Sequence, residues 1–247
     1  MGADQNHNWQ ALADSALEWW RDAGVDTLVG DTPFAWLSEE AAREEAVASP
    51  AARAGAAPAS APLAATLPAT AEEFLRWRIG EAAPEAGWGG ALVAASGPVT
   101  ADLMVLIDCP ERDAGDSLLG GAAGRLFDRM LAAIGRSRDD VHIASVCARR
   151  PTAGRMPRDL EARLGEIARH HAGLAAPKRL LVLGDAASRA ILSANVMAAR
   201  GGLHVLNHDG GRVTEVAASF HPRMLLERPA LKAEAWKDLQ LLIGGLS

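Results

Sequence analysis

ADLMVLIDCPERDAGDSLLGGAAGRLFDRMLAAIGRSRDDVHIASVCARRP, residues 101–151, decides the fold. It opens on a short, wholly apolar run, Leu103–Ile107, too short for a helix and suited to a strand buried on both faces. A Gly-rich stretch follows, then about 121–135 at helical period, closed by Gly135. The stretch ends on a second strand pattern, Val141–Val146. Working outward, the alternation continues: a helix from Pro157 to about 174, a strand at Leu180–Leu183, a helix over about 185–199, a strand at Val213–Ser219 and a last helix over about 229–243. Strands alternating with helices pair in parallel through right-handed crossovers. The expected class is therefore α/β, a three-layer α/β/α domain on a central four-stranded parallel sheet. In such sheets ligands bind beyond the carboxyl ends of the strands. That rule gathers Asp108-Cys109-Pro110-Glu111, Cys147 with Arg149-Arg150-Pro151, Gly184-Asp185 and Phe220-His221-Pro222 on one edge.

Before residue 101 the chain changes character. Residues 1–45 are Trp-rich, and over 7–24 Trp9, Leu12, Ala16, Trp19 and Trp20 share one helical face. Residues 46–70 are Ala/Pro/Ser-rich without periodicity, the composition of a linker. Thr70 and Glu73 then form a capping-box pattern for a short helix through Phe74 and Trp77. The expected organisation is an N-terminal helical extension over 1–45, a linker over 46–70 and an α/β domain over 71–247.

Charge and cysteine content bound the function. The 247 residues carry a formal charge of −6. The distribution is uneven: residues 1–100 hold 14 acidic and 5 basic side chains, and residues 101–247 hold 17 acidic and 20 basic, mostly arginine. Arginine is the side chain suited to bidentate phosphate contacts; a GC-rich coding sequence would also raise its count. Two cysteines, Cys109 and Cys147, exclude a disulfide scaffold and a four-cysteine metal or iron–sulfur site within one chain. His204 and His208 are four apart but read as loop residues, and no metal is expected there. No apolar run approaches the roughly 20 residues of a membrane helix. Met1–Asn8 lacks a signal pattern, so the expectation is a soluble cytoplasmic protein without a cofactor.

The segment 101–151, with Gly121-Ala-Ala-Gly124 and Leu131-Ala-Ala-Ile-Gly135, resembles the first half of a family 4 type uracil-DNA glycosylase. Ser219-Phe-His-Pro-Arg-Met-Leu-Leu226 is similar to that family's His-Pro motif, and Trp236-Lys-Asp-Leu239 to its C-terminal helix. The resemblance spans about 101–247 and implies hydrolysis of the N-glycosidic bond of a deaminated base in DNA. It puts the water-positioning acid on Asp108 and the histidine that stabilises the departing base on His221. Cys109, Pro110, Leu119, Ser145 and Pro222 then fall around the base, and Arg149, Arg150 and Arg223 against DNA. The implied partner is DNA, with the N-terminal region open to a protein partner and no membrane involved.

The sequence also departs from the family pattern. Both glycines of the first motif are replaced, by Ile107 and Glu111; the base-stacking aromatic falls near Leu118 or Leu119; the asparagine that reads the base falls on Ser145. Arg149 stands at a cluster-cysteine position and the other three cluster cysteines have no counterpart, which leaves the Trp-rich N-terminal segment as the candidate brace for that region. These departures keep open a non-catalytic relative that binds DNA or protein, and, more weakly, a hydrolase of free nucleosides. Plain structural readings also stand: Asp108 as the cap of a turn, His221 as a loop histidine, Cys109 and Cys147 as small buried residues.

Overall fold

β1 (Leu103–Ile107) and β3 (Arg179–Leu183) are buried at every residue, as continuous apolar strands at the centre of a parallel sheet must be. The computed structural model describes residues 67–112, 115–152 and 156–244, all within one unit spanning Ala65–Ser247. The expected N-terminal helical extension and nearly all of the linker lie outside the described residues.

The sheet runs β2-β1-β3-β5-β4, with β2 at Val141–Ser145, β4 at Leu203–Asn207 and β5 at Val213–Ser219. The four strands expected from sequence are all present and parallel to one another. The sheet nevertheless has five strands, because β4 adds to β5 antiparallel at the edge. The sequence hid it for a physical reason. Its residues are alternately exposed and half-buried, so Leu-His-Val-Leu-Asn presents no buried run. His204 and His208, expected in a loop, belong to this edge region. His204 Nε2 meets the Ala199 carbonyl and His208 Nε2 meets Thr214 Oγ1, so the rings serve separate hydrogen bonds.

Step direction sets the layers. The crossover through α2 (Gly121–Ala133) goes from β1 out to β2, and the one through α3 (Arg158–Ala175) goes back past β1 to β3. One handedness therefore places these helices on opposite faces. α1 (Ala71–Arg78) and α4 (Asp185–Leu192) pack with α3; α6 (Pro222–Glu227) packs with α2, and α7 (Lys232–Ile243) packs on β5. The helix expected over 185–199 is two. Ser193 takes a left-handed conformation that closes α4, and Asn195 caps α5 (Val196–Ala199) by accepting from the Ala198 N–H. At α1 the Thr70 hydroxyl accepts from the Glu73 N–H and donates to the Glu73 carboxylate.

The stretch after α1 is tied to the sheet. Leu92 and Ser96 bridge Arg149 and Ile143 antiparallel, covering the free edge of β2. Beneath, Arg78 and Glu85 form an ion pair with 6% and 1% exposure. Arg78 donates to the Val146 carbonyl (2.6 Å), and Glu85 accepts from the Ala148 N–H (2.8 Å). Phe74, fully buried, packs on the rings of His170 and His171. No helix among the described residues is long and apolar enough to cross a membrane.

Candidate functional site

The strand register lines up the carboxyl ends. Ile107 pairs with Ser145 on one side and with Leu183 on the other, and Leu183 pairs with Ser219. The next residue of each strand therefore leaves the sheet on one line, bringing Asp108, Gly184 and the Phe220-His221 pair to a common edge. Asp108 and His221 start two strands apart, roughly 10 Å at the usual strand spacing.

Asp108 is turned toward the start of α4. Its Oδ1 accepts from the Ala187 N–H at 2.7 Å, the third residue of the helix, so it caps α4 from another strand. Burial pushes its pKa up to about 6, partly offset by the Ala187 N–H; Asp185 adds to the rise and Arg189 opposes it. The carboxylate fits because residue 184 is glycine. A Cβ there would stand 2.5 Å from Asp108 Oδ2, and φ is +108°. Gly184→Ala is expected to destabilise the fold by roughly 1–3 kcal/mol or more through strain and the carboxylate clash, and to abolish any activity that needs Asp108 in place. Thermal melting beside a base-release assay checks this, and a melting point equal to wild type would contradict the placement.

His221 is the N-cap of α6, with Pro222 buried at the first helical position. Its Nδ1 accepts from the Arg223 N–H at 3.2 Å. Burial, then Arg223 and Arg150, lower its pKa to about 4, so the ring is neutral near pH 7. The hydrogen-bond pattern assigns the proton to Nε2. That N–H has no protein acceptor among the described residues. Glu111 Oε1 also lies 3.4 Å from Nδ1, but this is an ion pair only with a protonated ring. With two cations and burial acting against protonation, the Arg223 N–H is the partner.

Behind His221 a buried network sets the loop. Asp238 of α7, fully buried, accepts from Ser219 Oγ (2.8 Å), the Gly201 N–H (3.2 Å) and Arg200, whose guanidinium lies over the Phe220 ring. The Ser219 carbonyl in turn accepts from the Gly184 N–H at 3.1 Å. One carboxylate thus braces the ends of both β5 and β3. Sequence reasoning noted the Trp-Lys-Asp-Leu segment but gave Asp238 no role.

The other expected residues divide. Pro110 is buried, and its carbonyl accepts from Arg150 at 3.0 Å. Cys109 Sγ lies 3.6 Å from the same guanidinium nitrogen, and burial drives the thiol up to about 11. Arg149 is half-buried and donates to the Gly90 carbonyl. Arg223 alone of the three arginines is well exposed, and it faces Glu111 at 3.3 Å. Leu118 and Leu119 are fully buried. It is the Leu119 carbonyl that approaches Gly124, where a Cβ would collide with it. Ser145 borders a cavity of about 190 Å³ with Arg78, Val93 and His171, whose lining includes neither Asp108 nor His221. Burial drives the Cys147 thiol far above its usual range.

A family model described as the uracil DNA glycosylase superfamily matches residues 95–240. The chain belongs to that superfamily. The chain is 29% identical over 163 residues to a type-4 uracil-DNA glycosylase of Pyrobaculum aerophilum, covering 62% of this chain and 82% of that protein. It is 30% identical over 151 residues to a type-4 uracil-DNA glycosylase of Archaeoglobus fulgidus, covering 57% and 74%. Every residue of the edge just described lies inside the matched range. An iron–sulfur cluster does not fit this member of the superfamily. The whole chain offers two thiols where four are needed, one of them is buried, and Arg149 makes a backbone contact at the place the resemblance gives to a cluster cysteine.

Proposed function

We propose that the chain is a DNA N-glycosylase that hydrolyses the glycosidic bond of uracil or another deaminated base, as the first step of base excision repair. The observation that carries this reading is the neutral His221, whose Nδ1 is taken by a backbone N–H and whose Nε2–H is left as a donor beside the strand edge that also bears Asp108. Glycosidic cleavage leaves an anionic base and a cationic sugar. A donor at the base oxygen stabilises the first without losing its proton. Asp108, when ionised, stabilises the second and orients water. The base must first be flipped out of the duplex, at a cost of a few kcal/mol in lost stacking and pairing. Cys109, Pro110 and Pro222 are the proposed walls of the base pocket; Ser145, whose cavity is lined by neither Asp108 nor His221, is left out. Arg223, the exposed arginine, is the proposed phosphate contact.

The test is base release from an oligonucleotide carrying one uracil, single- and double-stranded, with His221→Ala alongside. The expected outcome is release by the wild type and a drop of 10²-fold or more in the variant, the scale for loss of an oxyanion donor. Absence of release from uracil, hypoxanthine and xanthine alike would remove the reading.

A further inference from the structure

The mechanism leaves Glu111 unused, although it stands at the site. Its side chain is only 8% exposed, and its two oxygens face different groups: Oε1 lies 3.4 Å from His221 Nδ1 and Oε2 lies 3.3 Å from Arg223 Nη1. Arg223 is half exposed and its other carboxylate neighbour, Glu227, is at 3.9 Å. The cation best placed to meet a phosphodiester is thus already facing an anion. A carboxylate and a phosphate oxygen compete for the same guanidinium edge, and two anions cannot approach one exposed arginine without mutual repulsion. The backbone leading into Glu111 is anchored, since Arg150 donates to the Pro110 carbonyl and the Cys147 N–H to the Asp108 carbonyl. The carboxylate, 8% exposed, is held between His221 and Arg223.

We propose that Glu111 is a built-in competitor for DNA: it occupies Arg223 and must release it before a phosphate can bind beside His221. The proposal rests on the glycosylase reading for its ligand, a DNA phosphodiester, and adds regulation of access to that site. A strand that binds has to replace the Glu111–Arg223 pair with a phosphate–Arg223 pair. Removing the carboxylate leaves the arginine free at no such cost and withdraws one negative charge from the mouth.

The experiment is binding of a short fluorescein-labelled DNA duplex without uracil, by anisotropy, to wild type, Glu111→Gln, Arg223→Gln and the double variant, across a salt series. Glu111→Gln is expected to bind about tenfold more tightly at roughly 50 mM salt, because the competing pair no longer has to be broken. That gain should vanish in the Arg223→Gln background, which a general effect of lost charge would not do. Glu111→Gly provides a second route to the same result if glutamine packs badly. Unchanged affinity in both Glu111 variants, or a gain that survives Arg223→Gln, overturns the proposal, as does failure of every protein to bind. Base release is scored separately: release with no gain in Glu111→Gln sinks only the competitor, and a gain without release sinks only the glycosylase.

Discussion

Glu85→Gln is expected to lower stability by about 3–5 kcal/mol, the usual cost of removing one partner of a buried ion pair. The Arg78 guanidinium would remain buried with the Val146 carbonyl as its hydrogen-bond acceptor, while the Ala148 N–H would keep only a weaker, neutral acceptor. The loss would not be confined to α1. The pair ties residues 71–97 to the end of β2, and Val146–Ala148 lead directly into Arg149 and Arg150. Urea unfolding of the two proteins measures it; a shift under about 1 kcal/mol would mean the pair is solvated in practice. Replacing both residues together by apolar side chains should recover most of the loss, since Glu85 Oε2 has no hydrogen-bond partner among the described residues and the pair's own desolvation cost disappears. The ion pair braces, within the described residues, the region for which the Trp-rich N-terminal segment was the sequence candidate.

Asp108→Asn is expected to separate activity from stability in opposite directions. On the glycosylase reading the carboxylate positions water, so base release should fall by about 10²–10⁴-fold. Asparagine still offers Oδ1 to the Ala187 N–H, so the cap on α4 survives. The stability change follows from the raised pKa. A carboxyl whose folded pKa is about 6 against an unfolded value near 3.8 adds stability that is complete below pH 4 and is lost as pH rises through 6. Ionised at pH 8, Asp108 costs the fold about 3 kcal/mol on the conversion from pKa to free energy. The variant should therefore melt higher than wild type at pH 8, with the gap closing toward pH 4. The wild-type rate should also rise with pH to a plateau above about 7, because His221 stays neutral throughout that range. A variant that melts lower at pH 8 would show that burial of Asp108 is not the cost described.

The parallel core was legible because it satisfies simple local rules. Leu103–Ile107 is apolar on both faces and is buried on both; Gly135 takes the positive φ its helix end requires. The convergence of Asp108, Gly184 and His221 on one edge followed from strand direction alone. β4 was not legible, since its residues are alternately exposed and half-buried and leave a mixed pattern, unlike β2 at the other edge, which is buried along most of its length. The break inside 185–199 was missed although Asn195 is a favoured N-cap residue, because a single such residue within an apolar run also occurs inside helices; the left-handed Ser193 and the Asn195 cap mark the end and the start.

Sequence by itself determined the alternation of the four parallel strands with helices, the absence of a four-cysteine cluster and the edge on which chemistry can occur, because these depend on period, count and strand direction. Only the tertiary structure decided which atoms face one another there. It turned Asp108 onto the α4 terminus, set the His221 proton on Nε2, buried Leu119, engaged Arg149 and Arg150 with backbone carbonyls and placed Glu111 between His221 and Arg223. Those outcomes are fixed by burial and by hydrogen-bond partners distant in the chain, and neither is a property of the local sequence.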